Sequence, residues 1–199
     1  MVLRASGGKV EELTAQRLEH TPFNEDALQK LLAEHPELLP VREIEPAYVP
    51  LACAGREVDT RAGPIDLLFV TPTGNLVVVE TKLWRNAEAR RSVVAQILDY
   101  AKALARLSYR EFDALVVKAT GRRLADLARG ICANPEEEFD EQEFVDAVTR
   151  NLRACRLLLL IVGEGIREGV EELTNLLQDS GGRRFSLALI ELPLYRLEK

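Results

Sequence analysis

Two carboxylates and a lysine lie close together near the middle of this chain, at Asp66, Glu80 and Lys82. Two carboxylates on one face can hold a divalent cation, which polarises a phosphate and lowers the pKa of a bound water. A lysine beside that water can orient it, stabilise developing charge, or act as a base if its pKa is depressed. The three residues therefore suit metal-assisted hydrolysis of a phosphodiester.

The segments that carry these residues predict a β-hairpin. Apart from Asp66, residues 65–70 and 76–79 are apolar and partly β-branched, as strand residues are. Residues 71–75 between them read Thr-Pro-Thr-Gly-Asn, which is turn chemistry. We therefore expect two antiparallel strands about a turn centred on Thr73.

The register of this hairpin decides whether the two carboxylates meet. In an antiparallel pair centred on Thr73, Asp66 lies opposite Glu80, with Cβ atoms about 4.5–5.5 Å apart. Because side chains alternate along a strand, Lys82 shares the face of Glu80 while Thr81 points away. Without a cation the two carboxylates should repel each other, and with one they form a pair of ligands.

A helix is expected directly after the hairpin. Asn86 is a good N-cap, Glu88 lies in the first turn, and apolar residues recur at helical spacing. Gln96 and Tyr100 are four residues apart, so they share a face and can return an amide and a phenol to the end of the hairpin. The apolar positions are Val93, Ile97 and Leu104.

An earlier helix is predicted over residues 24–35. Asn24 is its expected N-cap, Glu25 and Asp26 lie in its first turn, and Pro36 ends it. Taken alone, Glu25 is most simply an acid favoured by the helix dipole. The expected buried stripe consists of Leu28, Leu31 and Leu32.

The arrangement of Asp66 followed by Glu80-Thr81-Lys82 resembles the PD-(D/E)XK nuclease superfamily, whose core is the restriction-endonuclease-like fold. Gln96 and Tyr100 resemble the Gln-and-Tyr motif that RecB-type members carry on the helix after the lysine strand. The helix that begins at Glu25 resembles the first helix of that group, including its NucS-like and uncharacterised bacterial branches, in which a helical glutamate helps the metal site.

This resemblance covers about residues 24–117 and departs from the family pattern at one point. Ile65 separates Pro64 from the aspartate, although the proline is often absent in this superfamily and the aspartate carries the chemistry. The chain from Cys132 onward matches no motif of the superfamily. That part is expected to add sheet strands, a dimer surface or a specificity element.

What the resemblance implies is a Mg²⁺- or Mn²⁺-dependent nuclease, with DNA as the expected substrate and with endo- and exonuclease action both open. Asp66, Glu80 and the backbone carbonyl of Thr81 would bind the metal. Lys82 would handle the water, and Glu25 would give outer support. The other implied roles are Gln96 to orient the site or contact phosphate, Arg85, Arg90, Arg91 and Tyr100 to contact nucleic acid, and Trp84 as a stacking ring or a packing residue.

Composition bounds the class of protein. The 199 residues fit one domain, 1–199, with a nuclease-like core over about 24–118 and a C-terminal extension over about 132–199. A net charge of −6 argues against coating nucleic acid by bulk positive charge, while a local basic cleft stays open. Three cysteines without C-x-x-C spacing suit reduced thiols, and no signal peptide or membrane span is evident. We expect a cytoplasmic protein with no membrane partner, and a homodimer stays open.

Strands and helices alternate along the chain, which predicts an α/β fold with a mixed β-sheet flanked by helices. The resemblance implies that this fold has a restriction-endonuclease-like three-layer core, with extra C-terminal helices and strands. Residues 1–8 are expected to be frayed, followed by a short helix through Val10, Leu13 and Leu18. The remaining expected elements are extended chain with a strand within 41–60, a strand at 112–117, a helix at 122–131, a helix capped by Asp140, a central buried strand at 156–162, a helix at 166–177 and a last strand at 185–192.

Simpler interpretations stay open for each residue. Glu80 and Lys82 can form a same-face ion pair, Asp66 can be an acid near a turn, and Gln96 and Tyr100 a surface amide and a half-buried ring. Two other functions also stay open. One is a catalytically silent module that binds nucleic acid on the same fold, and the other is a protein-interaction module that uses its C-terminal elements.

Overall fold

The computed structural model describes the backbone of residues 2–6, 9–15, 24–83, 89–132, 134, 139–164, 185–193 and 195–197, and the side chains of 24–82, 92–132, 134, 139–163 and 185–193. The strands in chain order are β1 Val2–Ser6, β2 Lys9–Ala15, β3 Ala52–Thr60, β4 Gly63–Val70, β5 Leu76–Leu83, β6 Leu157–Glu164, β7 Ser186–Glu191 and β8 Tyr195–Leu197. The helices are α1 Glu25–Glu34, α2 Val41–Ile44, α3 Ala89–Leu104, α4 Tyr109–Thr120, α5 Leu124–Arg129 and α6 Glu141–Arg153.

The main sheet has five strands in the order β3-β4-β5-β6-β7. Strands β3, β4 and β5 pair in antiparallel fashion, whereas β6 runs parallel to β5 and β7 runs parallel to β6. The fold is therefore α/β with a mixed open sheet flanked by helices, as predicted. Of the three alternatives for the chain after Cys132, sheet strands are what residues 157–164 and 186–191 provide.

Strand β6 lies between two parallel neighbours, which confirms the prediction of a central buried strand. Its apolar residues alternate between two separate packed clusters, one on each face of the sheet. Leu159 and Ile161 pack on one face, while Leu160 and Val162 pack on the other. A strand covered on both faces reads as a continuous apolar run because no position along it meets water.

Helices cover both faces of this sheet. Leu28 and Leu32 of α1 pack with Val41 of α2 against one face, and α3 to α6 pack against the other. Helix α1 begins at the predicted N-cap, since the Asn24 side chain accepts a hydrogen bond from the Ala27 N–H. Its buried stripe differs from the prediction by one residue: Gln29 is buried, whereas Leu31 is only partly so.

A second sheet joins the two ends of the chain, in the order β1-β2-β8, with both pairs antiparallel. The predictions of frayed residues at 1–8 and of a helix through Val10 and Leu13 were therefore wrong over residues 2–6 and 9–15. The backbone of Leu13 pairs with both Val2 and Leu197, and the partner at the far end of the chain is a long-range contact that local spacing does not reveal. Leu18 lies outside the described residues.

The predicted strand at 112–117 was also wrong, because this segment lies within helix α4. Ser108 and Glu111 form a reciprocal capping box at its start, and Gly121 ends it with a left-handed φ of 72°. Phe112 and Val116 are fully buried at helical spacing, while Val117 is 39% exposed. The short apolar run thus belongs to one face of an amphipathic helix.

Residues 41–60 are not simply extended, since α2 and a 3₁₀ turn at Pro46–Tyr48 precede β3. Asp140 caps α6 by accepting from the Glu143 N–H, as predicted. No disulfide joins any two of Cys53, Cys132 and Cys155. The helix expected at 166–177 lies outside the described residues. No helix in the described ranges combines the length and apolar character needed to cross a bilayer.

Candidate active site

The hairpin β4–β5 adopts the predicted register. Leu67 pairs with Val79 and Val70 pairs with Leu76, so one further step along both strands would set Asp66 opposite Glu80. The turn depends on Gly74, whose φ is 78°, and a Cβ there would lie 2.9 Å from the Cβ of Ala147 on α6. Local turn chemistry and close packing against α6 together hold this register as far as Leu67 and Val79.

Counted from the turn, the regular pairing of β4 with β5 ends at Leu67, one residue short of Asp66. Ile65 packs in the cluster beneath α3, whereas Leu67, two residues further, packs in the cluster beneath α1. Residues two apart in a regular strand share a face, so the alternation breaks at Asp66. The strand therefore changes the direction of its side chains at the residue expected to carry the chemistry.

This break lets Asp66 reach Thr81. Its Oδ2 atom accepts hydrogen bonds from the Thr81 N–H and from the Thr81 hydroxyl, each at 2.7 Å. The expectation that Thr81 points away from Asp66 was wrong, because it assumed regular alternation in both strands. Burial raises the pKa of Asp66, the two hydrogen bonds from Thr81 oppose that rise, and the charges of Glu57 and Glu25 add to it.

Glu80 is the most deeply buried acid of the site, with 2% of its surface exposed. Its Oε2 atom has no hydrogen-bond partner among the described residues. Burial, followed by the charge of Asp66, raises the pKa of Glu80 to about 8, while Lys82 acts in the opposite direction. A buried carboxylate without a hydrogen-bond donor is costly, so this atom marks a place where a cation or a proton is needed.

Helix α1 brings Glu25 to the same place. Its Oε1 atom lies 3.8 Å from Nζ of Lys82, and its charge raises the pKa of both Asp66 and Glu80. The ion pair is partly exposed, so its own contribution to stability is small, on the order of 1 kcal/mol or less. Its effect is geometric, because it holds the lysine at the edge of the acidic group.

A second ion pair in the first turn of α1 joins this helix to β3. The Arg56 guanidinium donates to Asp26 and, at 3.4 Å, to the side chain of Gln29, which is buried. Arg56 therefore sets the position of the helix that carries Glu25. Sequence reasoning missed both Arg56 and Gln29, since the two segments are about 30 residues apart and only packing brings them together.

Gln96 and Tyr100 form a chain of hydrogen bonds to the start of β4. Nε2 of Gln96 donates to the Tyr100 oxygen at 2.6 Å, and the Tyr100 hydroxyl donates to the carbonyl of Pro64, also at 2.6 Å. Tyr100 is only 1% exposed, and burial with the nearby carboxylates raises its pKa to about 12. The predicted contact of Tyr100 with nucleic acid does not fit this burial, and the pair instead holds β4 two residues before Asp66.

A fourth carboxylate, Glu57, was missed by the sequence analysis. In the β3–β4 register Arg56 pairs with Leu67 and Val58 pairs with Ile65, which sets Glu57 opposite Asp66. Glu57 has a left-handed φ of 49°, and its charge raises the pKa of Asp66, Glu80 and Tyr100. The tight turn between β3 and β4 was the signal that could have identified it, since it fixes that register.

The carboxylates of the site are hard oxygen donors of the kind that Mg²⁺ prefers. No three carboxylate, imidazole or thiol groups of the described residues already converge to hold a metal. A cation at Glu80 would therefore take one or two carboxylates and complete its shell with water and phosphate oxygens, which is the usual mode for Mg²⁺. The unpartnered Oε2 of Glu80 fits that role.

Comparison with protein families, with characterised proteins and with solved structures finds no match to this chain. Any assignment of function therefore depends on the residues of the site.

The remaining residues predicted for the site have side chains outside the described part of the chain: Trp84, Arg85, Arg90 and Arg91. The backbone of the last two belongs to the first turn of α3.

Proposed function

We propose that this protein is a metal-dependent nuclease of the PD-(D/E)XK type, which hydrolyses phosphodiester bonds of nucleic acid, with DNA as the expected substrate. The observation that carries the proposal is Glu80, a buried carboxylate with an unpartnered oxygen beside Asp66 and Lys82. A same-face ion pair, the simpler interpretation, does not account for it, because among the described residues Lys82 forms its ion pair with Glu25 and not with Glu80.

The electrostatics of the site support a divalent cation. The charges of Glu25 and Glu57 raise the pKa of both Asp66 and Glu80, the charge of Asp66 further raises the pKa of Glu80, and the charge of Lys82 lowers it. Burial and neighbouring negative charges destabilise the ionised forms of Asp66 and Glu80, and a bound cation reverses that effect. When bound, Mg²⁺ or Mn²⁺ would polarise the phosphate and lower the pKa of an attacking water.

The chain's own residues have separate tasks in this proposal. Asp66 and Glu80 would hold the cation together with the carbonyl of Thr81, and the hydrogen bonds from Thr81 orient Asp66 and favour its ionised form against the effect of burial. Lys82 would position the water, and the ion pair with Glu25 would hold the lysine in place.

Gln96 and Tyr100 position the site without contacting substrate. Their hydrogen bonds fix the carbonyl of Pro64 and therefore the entry of β4 into Asp66. The antiparallel β3-β4-β5 strands, with α1 on one face and α3 on the other, support the proposal that this part is a restriction-endonuclease-like core.

The test is cleavage of circular duplex, linear duplex and single-stranded DNA, and of RNA, in Mg²⁺ or Mn²⁺. We expect Asp66→Asn, Glu80→Gln and Lys82→Ala each to lower the rate by about 100-fold or more, the size found for groups that act on a transition state. Glu34→Gln, which changes an exposed acid at the end of α1, is the matched control and should cleave normally. Cleavage that survives the Asp66 and Lys82 changes would remove the mechanism, and metal-independent binding without cleavage would favour a silent binding module.

A further inference from the structure

An open groove of about 760 Å³ lies next to the candidate active site and does not include its acids. Its walls are the turn between β3 and β4, the second half of α3 and the beginning of α4. The groove residues 59–62 lead directly into Gly63, where a Cβ atom would lie 3.9 Å from the Tyr100 ring. Two residues after Pro64 the same strand reaches Asp66, so the groove and the acidic site adjoin along β4.

Three basic side chains line the groove: Arg61, Lys102 and Arg106. All three are exposed, and none makes an ion pair with another described residue. Arginines elsewhere on the same face of the sheet are different, since Arg123 and Arg129 both bind Glu141. The groove thus concentrates basic groups that form no ion pair with a described acid, although the charge of Arg61 lowers the pKa of Glu111.

The acidic side chains of the groove are mostly engaged elsewhere. Asp59 accepts a hydrogen bond from Lys118 at 3.0 Å. Glu111 accepts from the N–H and the hydroxyl of Ser108, and these bonds lower its pKa. Asp99 is the one groove acid with no hydrogen bond or ion pair to a described residue, so the three basic side chains outnumber the acids not already engaged, in a chain of net charge −6.

The rest of the lining determines which part of a nucleic acid could be recognised. It consists of small and aliphatic side chains, and no aromatic ring is among the described residues that form it. Without aromatic rings the groove offers no stacking platform for bases. Cations beside apolar side chains instead suit the phosphates and sugars of a backbone, which are read without regard to sequence. The aliphatic lining residues are Ala62, Ala103, Leu107, Ala114 and Leu115.

We propose that this groove binds the sugar-phosphate backbone of a single nucleic-acid strand that continues from the acidic site, with Arg61, Lys102 and Arg106 contacting its phosphates. The inference rests on the proposed nuclease function and adds to it the path and the strandedness of the substrate. The groove volume is in the range of pockets for compact ligands, which suits a short stretch of one strand rather than a duplex.

The experiment measures binding of a labelled single-stranded DNA of about 12 nucleotides, within the range that such surfaces cover. Binding is followed by fluorescence anisotropy in EDTA over a series of salt concentrations. The test variant carries Arg61→Gln, Lys102→Gln and Arg106→Gln. The control carries Arg42→Gln, Arg150→Gln and Arg153→Gln, which are exposed basic residues outside the groove.

We expect the test variant to bind about tenfold or more weakly at moderate salt, while the control binds as the wild type does. The slope of log K against log salt should fall by about 2 for the test variant, because three lost phosphate contacts of a single strand account for about 0.7 each. Equal slopes and affinities for the test and control variants would overturn the inference.

Competitors identify the chemistry of the ligand. Unlabelled single strands of DNA or RNA should displace the probe, with affinity that rises with length. Inorganic phosphate, a mononucleotide and poly-glutamate should displace it only at far higher concentration. Stronger groove-dependent binding of a duplex of equal length, or equal displacement by poly-glutamate, would contradict a single-strand site.

The two proposals fail in different ways. Groove-dependent binding of single strands together with no metal-dependent cleavage would retain the groove and reject the nuclease. The opposite outcome is cleavage that requires Asp66 and Lys82 while the groove substitutions change neither the cleavage rate nor the affinity for single-stranded DNA. That outcome would retain the nuclease and reject the groove. Thermal melts of both triple variants establish that each one is folded before binding is compared.

Discussion

Thr81 donates two hydrogen bonds to Asp66, one from its N–H and one from its hydroxyl, and both reach Oδ2 at 2.7 Å. The contact joins β4 to β5 at the point where their regular pairing has ended. It also supplies the hydrogen bonds that favour the ionised form of Asp66 against the effect of burial. Thr81, on the strand that carries Glu80 and Lys82, thus orients the carboxylate of Asp66 and favours its ionised form.

Replacing that hydroxyl tests the contact. We expect Thr81→Val to lower the free energy of unfolding by about 1.5–3 kcal/mol, because a hydrogen bond to a charged and partly buried group is lost while the branched shape is kept. Thr81→Ser keeps the hydroxyl and should lose less. Urea unfolding at neutral pH measures both. If the valine variant proved as stable as the serine variant, the hydroxyl would have no role in holding Asp66.

Glu80 should make the metal-free protein less stable as the pH rises. Its pKa is raised to about 8 in the folded chain, so between about pH 4.5 and 8 the folded state holds a proton that the unfolded state has released. Stability from this group is therefore present at low pH and decreases as the pH rises through that window.

The matching variant is Glu80→Gln, which cannot ionise. Relative to the wild type, its free energy of unfolding in EDTA should increase from about pH 5 to pH 8, by on the order of a few kcal/mol. Glu34→Gln, at an exposed position, should show no such trend. A flat difference between Glu80→Gln and wild type over this range would show that Glu80 does not take up a proton on folding.

A divalent cation should stabilise the protein through Asp66 and Glu80. We expect the melting temperature to rise with added Mg²⁺ or Mn²⁺, since a ligand present at 100 times its dissociation constant adds about 2.7 kcal/mol. Asp66→Asn and Glu80→Gln should abolish most of that increase, and Glu34→Gln should retain it. Isothermal titration with Mn²⁺ gives the affinity directly. An equal shift for all four proteins would mean that the metal binds elsewhere.

Two tyrosines provide a matched pair for the positioning role of Tyr100. Tyr100→Phe removes the hydrogen bonds to Pro64 and Gln96, so we expect a loss of about 1–3 kcal/mol in stability and a lower cleavage rate. Tyr109→Phe should be neutral or stabilising, because the buried Tyr109 hydroxyl has no hydrogen-bond partner among the described residues. Equal effects of the two changes in urea unfolding would contradict a specific role for the Tyr100 hydroxyl.

The features that were predicted correctly are encoded within a few neighbouring residues. The turn at 71–75 is local chemistry, and it fixes the predicted register from Val70 and Leu76 to Leu67 and Val79. Asn24 and Asp140 cap their helices through bonds three residues away. Strand β6 contains an unbroken apolar run, and all side chains of that run are removed from water only when both faces of the sheet are covered.

Errors arose where a local pattern fits two structures. The run at 112–117 is apolar enough for a strand, but the capping box at Ser108 and packing of Phe112 on the sheet make it a helix. Strand β2 forms because β1 and β8 pair with it on both sides, and one of those partners is near the opposite end of the chain.

By itself, the sequence determined the hairpin, its register and the residue types that suit a metal-dependent hydrolysis. Only the tertiary structure decided which groups meet: Thr81 with Asp66, Glu25 with Lys82, and Glu57 across the sheet from Asp66. Turns and caps are short-range and can be read from a few residues. The break in strand alternation at Asp66 and the docking of α1 depend on packing between distant segments, which no local pattern specifies.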